Sequence, residues 1–266
     1  MSDILTERSG AILRVQLNRP AKKNALTSAM YMTLAAIFNE AGSDDSIHVV
    51  VWYGAGGSFT AGNDVQDFLK NPPGPGQFPQ SQLMTALINL DRPLVAAVQG
   101  IAVGGGTTML THCDFVYAGE STRFQTPFIN IGLVPEFGSS FSLPSRIGYL
   151  RAAELFLLGQ PFDARRAAEL GLVTRVVPDA DLLATAIETA EKLAHKPIGA
   201  LRACKRLTRL STRDQVEEAI RRENEEFALR LRSPEALEAF AAFLEKRPPN
   251  FTKATTVSPV AAGATR

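Results

Sequence analysis

Apolar and polar positions change period several times along this chain. Short alternating runs at residues 4–8 and 11–17, separated by Ser9-Gly10, predict two strands joined by a turn. Asn18-Arg19-Pro20 breaks the pattern. Thr27 and Ser28 then offer a helix cap, and Met30, Leu34, Ile37, Phe38 and Ala41 recur at helical spacing. The β-branched run 48–53 predicts a buried strand, closed by the glycine-rich stretch 54–57. Three prolines in six residues within KNPPGPGQFPQ (70–80) exclude helix and ladder strand there and predict an irregular segment, plausible as a lid beside a site. A helix over 81–90, a strand over 93–99, a glycine-rich connection over 100–106, a helix over 107–112 and a strand over 114–118 follow.

From Gly138 the pattern is mostly helical. Leu182, Ala186, Ile187, Ala190 and Leu193 form one apolar face; Pro197 starts the next helix; Val216, Ile220, Phe227 and Leu231 line a longer one; Pro234 starts the last. Strand–helix alternation followed by helices alone predicts an α/β core over residues 1–195 and a helical C-terminal region over 196–266.

Composition narrows the classes. The 266 residues are 45% hydrophobic and 21% charged, enough for a sizeable core. A net charge of +1 gives no electrostatic case for nucleic acid or an acidic membrane. No apolar run reaches the ~18 residues of a membrane span, and the N-terminus reads as neither signal nor transit sequence, so a cytoplasmic location is expected. Cys113 and Cys204 read as buried thiols, and the scattered His48, His112 and His195 predict no metal site. Arg202, Arg206, Arg209 and Arg213 read either as a solvated face or as a subunit contact offering cations to a phosphate.

Three segments carry candidate chemistry. GAGGSFTAGND (54–64) places a glycine-rich turn after a strand, where backbone N–H groups can meet an anion. GIAVGGGTT (100–108) opens a helix on glycines, exposing N–H groups suited to a developing oxyanion. Taken alone, each also reads as a tight connection. FQTPFINIGLVPEFGSS (124–140) holds a single acid, Glu136, among Leu133, Val134, Pro135 and Phe137. Apolar surroundings raise a carboxyl toward the range of a general base, although an acid at a helix start is often only dipole complementarity.

Together with NRPAKKNAL (18–26), GAGGSFTAGNDVQDF (54–68), PLVAAVQGIAVGGG (93–106), CDFVYAGESTRF (113–124) and LGQPFDARRAAELGLVTRVVP (158–178), these segments resemble the enoyl-CoA hydratase/isomerase, or crotonase, superfamily across most of the chain. The resemblance implies an α/β crotonase (ClpP/crotonase-like) fold of repeated ββα turns with a helical C-terminal oligomerisation region. It also implies an acyl-CoA thioester substrate whose coenzyme A serves in place of any separate cofactor, and a homotrimer or dimer of trimers. By position, Asn63 and Gly105 match the two oxyanion donors, backbone around Ala25, Ala61 and Asp64 matches the adenine-binding region, and Lys22 and Lys23 stand where CoA phosphates could be met. The two hydratase glutamates fall on Thr108 and Phe128, neither an acid. The segment around Glu136 resembles the peroxisomal type of Δ3,Δ2-enoyl-CoA isomerase, which implies that Glu136 is the single base, with Phe128 and Phe137 as apolar walls. A hydratase using Glu136 with another acid or water is the alternative, and a non-catalytic CoA- or RNA-binding scaffold is the alternative of another class.

Overall fold

The computed structural model describes residues 2–70 and 79–254. In chain order the elements are β1 (Ile4–Ser9), β2 (Ile12–Leu17), α1 (Ser28–Ser43), β3 (Val49–Gly54), α2 (Val65–Lys70), α3 (Pro79–Asn89), β4 (Leu94–Val98) and β5 (Ile101–Val103). There follow α4 (Gly105–Thr108), continued by a 3-10 turn Met109–His112, then β6 (Phe115–Gly119), β7 (Arg123–Gln125), α5 (Ser139–Ile147), α6 (Tyr149–Leu158), β8 (Phe162–Asp163), α7 (Ala164–Glu169) and β9 (Arg175–Val177). Helices α8 (Leu182–Ala194), α9 (Ile198–Arg230), α10 (Pro234–Glu245) and α11 (Phe251–Ala254) complete it.

Six strands form one sheet in the order β1-β2-β3-β4-β6-β9, parallel except for the β1–β2 pair. A smaller sheet, β5-β7-β8, is extended by a bridge from Thr60 to Ala102. Three successive turns therefore leave a strand in the large sheet and drop to the small one: β3 to Thr60, β4 to β5, and β6 to β7. This is the α/β architecture of stacked ββα turns that the sequence led us to expect.

Alternation sorts the large sheet's side chains into two layers. Val50 and Trp52 face the core beneath α1 and α3, where Trp52 meets Phe38 and Phe59 edge-on at 5.3 and 5.4 Å. Val49, Val51, Val95 and Ala97 face the other way, onto Leu182, Ala186 and Ala190 of α8. With both faces covered, the strands read as unbroken apolar runs. Thr27 caps α1 by accepting the Met30 N–H at 3.2 Å.

Several boundaries differ from expectation. Helix α3 begins at Pro79, so the expected irregular segment gives up its last two residues, while residues 71–78 lie outside those described. Residues 101–103 form a strand, because Ala102 is laid between Thr60 and Phe124. The helix expected over 107–112 begins at Gly105 and tightens to 3-10 geometry at Met109. Strands β7, β8 and β9 have two or three residues each, too few to show a period. Cys113 is buried as expected, but Cys204 is exposed on α9. Among the described residues no helix is long and apolar enough to cross a membrane.

The arginines of α9 make ion pairs within the chain rather than a free cationic face. Arg202 and Arg206 reach Asp91, Arg213 reaches Glu217, and Arg209 reaches Asp114. Asp114 is the main anchor. Its carboxylate accepts from the buried Lys205 ammonium at 2.7 Å, from Arg209 at 3.1 Å and from the Leu94 N–H at 2.7 Å, joining α9 to the start of β4. Burial pulls Lys205 down to about 8, and the Asp114 charge opposes that fall. Replacing Asp114 by Ala leaves a buried ammonium without its counter-charge, so chemical denaturation should show a loss of about 3–5 kcal/mol. A loss below about 1 kcal/mol would mean that α9 is held elsewhere.

Candidate active site

Local geometry presents the first N–H. The buried Asn24 side chain donates to the carbonyls of Ala55 (2.9 Å) and Ser58 (2.7 Å) and accepts from the Arg19 N–H (2.8 Å), so residues 19–26 are tied to the turn after β3. Leu26 then donates to Gly62 and accepts from the Asp64 N–H, both at 2.8 Å. In such a parallel bridge the residue between, Asn63, turns its own N–H away from the pairing partner. The Tyr31 hydroxyl donates to Asn63 Oδ1 at 2.6 Å and fixes that side chain.

Gly105 presents the second. It is the first residue of α4, so its N–H has no partner within the helix. Asn63, Gly105 and Glu136 all line one cavity of about 220 Å³. Phe128, Ile131 and Leu133 form part of its wall, and Phe227, Phe240 and Phe243 reach it from α9 and α10.

Glu136 is only 4% exposed, and its Oε1 finds no hydrogen-bond donor among the described residues. A Cβ built on Gly105 would lie 2.7 Å from that oxygen, so glycine is what allows carboxyl and helix terminus to close on one another. The loop bearing Glu136 continues through two left-handed residues, Phe137 (φ 64°) and Gly138 (φ 68°). A bulky residue held there is strained by about 1–3 kcal/mol. His112 contributes to holding it, with Nε2 2.8 Å from the Phe137 carbonyl. Since a carbonyl only accepts, Nε2 carries the proton; burial keeps the ring neutral, lowering its pKa to about 3. Burial raises the Glu136 carboxyl to about 8, and the charge of Glu223 adds to the rise.

The other expected residues divide. Ala61 and Phe128 line the cavity. Phe137 does not: it is fully buried against Tyr31 and His112, and supports the site from behind. Thr108 is also fully buried outside the lining, its hydroxyl 3.4 Å from the carbonyls of Gly104 and Gly105. Neither is placed to touch a ligand in the cavity. Lys22 and Lys23 are exposed; Lys23 instead uses its carbonyl, which accepts the Ala61 N–H at 2.9 Å. Ala25 lends its carbonyl to Arg19, which also pairs with Asp64 at 3.0 Å. Burial would raise Asp64, but the Asp67 N–H, Arg19 and the Gln66 N–H outweigh it and hold its carboxyl below the ordinary range.

Sequence reasoning missed Tyr31, His112 and Glu223. For Glu223 there was a signal: it falls on the stripe of Val216, Ile220, Phe227 and Leu231, at a position where helical spacing calls for an apolar residue. Tyr31 and His112 gave none, because their partners lie 32 and 25 residues away.

Comparison with known proteins fits this geometry. The family model described as enoyl-CoA hydratase/isomerase matches residues 7–254. The chain is 35% identical to the 2,3-dehydroadipyl-CoA hydratase of Escherichia coli K12, over 94% of this chain and 99% of that one. It is 32% identical to the enoyl-CoA delta isomerase 2 of Rattus norvegicus, over 92% of this chain and 64% of that protein. Among solved structures, an enoyl-CoA hydratase/isomerase from Pseudoalteromonas atlantica T6c superimposes with a TM-score of 0.89 at 40% identity, covering 94% of this chain and all of that one.

The carboxyl at the centre of the site makes stability depend on pH. Its folded value, about 8, lies above its ordinary 4.5, so between those two the folded chain keeps a proton that the unfolded chain has released. Stability therefore falls as pH rises through that window and is level on either side. Glu136→Gln, which cannot ionise, should be more stable than the parent near pH ~9 by on the order of a few kcal/mol, with the difference vanishing near pH ~4. Paired thermal melts at the two pH values check this.

Proposed function

The chain belongs to the enoyl-CoA hydratase/isomerase family, and we propose that within it this protein is a Δ3,Δ2-enoyl-CoA isomerase with Glu136 as the single acid–base group. One observation carries this reading: among the described residues, Glu136 is the only carboxyl lining the cavity that Asn63 and Gly105 share. The names of the relatives do not choose between reactions, since hydratase and isomerase match at nearly equal identity. The make-up of the cavity supports the isomerase reading. Hydration needs a water held between groups that exchange protons with it. Here the cavity offers the ring of Phe128 at one position where an acid would be needed, and Thr108 at the other is turned onto helix backbone.

A single base suffices to move a double bond. The C2 proton of a 3-enoyl thioester is acidified by the carbonyl on one side and the alkene on the other. The Glu136 carboxylate takes it, and the electron pair spreads through a dienolate onto the thioester oxygen. That oxygen lies against the Asn63 and Gly105 N–H groups, each donor contributing roughly 3–4 kcal/mol to the lowering of the barrier. The carboxylic acid then returns the same proton to C4, leaving the alkene between C2 and C3 in the 2-trans product. A carboxyl raised to about 8 is a stronger base than an ordinary glutamate, and the surrounding phenylalanines keep water from competing. In this reading the adenine end of coenzyme A lies along the backbone around Ala25, Ala61 and Asp64, with Lys22 and Lys23 in reach of its phosphates. The assembly in this reading is a homotrimer or a dimer of trimers, joined through the helical C-terminal region.

With 3-hexenoyl-CoA as substrate, the wild-type protein should form the conjugated enone. Glu136→Gln should lower kcat by about 10²–10⁴-fold while leaving affinity for a saturated acyl-CoA within a few fold. Wild-type rates in that variant would remove Glu136 from the chemistry, and rapid hydration of crotonyl-CoA by the parent would favour the hydratase reading. Because the ionised carboxylate takes the first proton, kcat/KM should rise with pH through a midpoint near about 8.

A further inference from the structure

Glu223 is a buried acid in the middle of the apolar stripe of α9. Both of its oxygens are used. Oε2 accepts the Gly138 N–H at 2.6 Å, and Oε1 accepts the Ser140 N–H at 2.7 Å. These amides belong to the first turn of α5 and to the left-handed residue before it, two and four positions beyond Glu136. The helix also presses on the loop directly. A Cβ on Gly138 would lie 2.9 Å from Val216 Cγ1 and 3.3 Å from Ile220 Cγ1, so only glycine fits between loop and helix. One helix therefore reaches the loop at Val216, Ile220 and Glu223, and the cavity wall at Phe227.

The two carboxyls sit in unequal surroundings. Glu223 has two amide donors, whereas one oxygen of Glu136 has none among the described residues. When two enclosed acids interact, the one with donors keeps its charge better, and the one without is driven to hold the proton. We propose that Glu223 is a positioning residue for proton transfer: through the Gly138 and Ser140 amides it clamps the loop that carries Glu136 and brings a second buried carboxyl to that loop. This rests on the reading of Glu136 as the base. The other titratable groups facing the pair are Tyr31 from α1, whose hydroxyl is tied to Asn63, and His112 from the 3-10 turn, a neutral donor to the Phe137 carbonyl. No lysine or arginine among the described residues pairs with either carboxyl in the structure. Burial holds Glu223 itself above the ordinary carboxylate range, and its bonds with Ser140 and Gly138 oppose that. The direction at Glu136 agrees with the geometry: after burial, the charge of Glu223 is what raises it.

The test is Glu223→Gln in the full-length protein, with two readouts. One is the pH profile of kcat/KM on 3-hexenoyl-CoA; the other is the infrared carboxyl band of Glu136, identified by its loss in Glu136→Gln and followed against pH. Both midpoints should move down by about half a unit or more, with KM changed less than about threefold. Glu223→Asp keeps the charge but withdraws it by one methylene, and should place the midpoints between those of Gln and the parent. If Glu223→Gln does not fold, Glu223→Asp alone decides. A purely structural clamp would lower kcat equally at all pH values and leave both midpoints in place, which would overturn the proposal. Failure of the base assignment is a separate result: isomerisation would survive Glu136→Gln, while the infrared titration would still report whether Glu223 acts on Glu136.

Discussion

A carboxyl group enclosed by apolar side chains, with one oxygen that meets no donor, is costly to keep in a folded chain. Around Glu136 the structure accepts that cost and organises itself to contain it. Gly105 gives up its side chain so that helix α4 can approach the carboxyl oxygen. Phe137 adopts a backbone conformation that bulky residues avoid, and a neutral histidine braces its carbonyl. Together they let a carboxyl raised to about 8 stand close to the start of helix α4.

The fold makes this placement possible because its two sheets separate duties. The large sheet and its covering helices supply the apolar burial, with Trp52, Phe38 and Phe59 at its centre. The smaller sheet collects the segments where each ββα turn crosses over, and the two N–H groups proposed as oxyanion donors, at Asn63 and Gly105, lie on these crossings. In the proposed reaction, donors held on such backbone would not have to reorganise as charge develops on a bound oxygen.

Helix α9 links the two. Its N-terminal half is fastened to the sheet through Lys205, Arg209 and Asp114, and its middle grips the loop of the acid through Glu223. Phe227 then forms part of the cavity wall. The C-terminal region is therefore a component of the site and not a cover laid over it. Its arginines, which on composition alone looked available to a phosphate, are taken up by Asp91, Asp114 and Glu217.

Much of this protein was legible in its sequence. The long strands and helices showed their periods, and the glycine-rich segments marked the crossings, because both signals are local. Glu136 stood out for the same reason, as a lone acid in an apolar run. Other features depend on residues far apart in the chain, and only the tertiary structure decided them. No period could show that Ala102 lies between Thr60 and Phe124, that Thr108 turns away from the cavity, or that Tyr31 pins Asn63. Nor could one show that an acid 87 residues beyond Glu136 would lend it a charge. A sequence records which groups are present and their local spacing, whereas the strength of a base depends on what encloses it, and enclosure exists only once distant segments have packed.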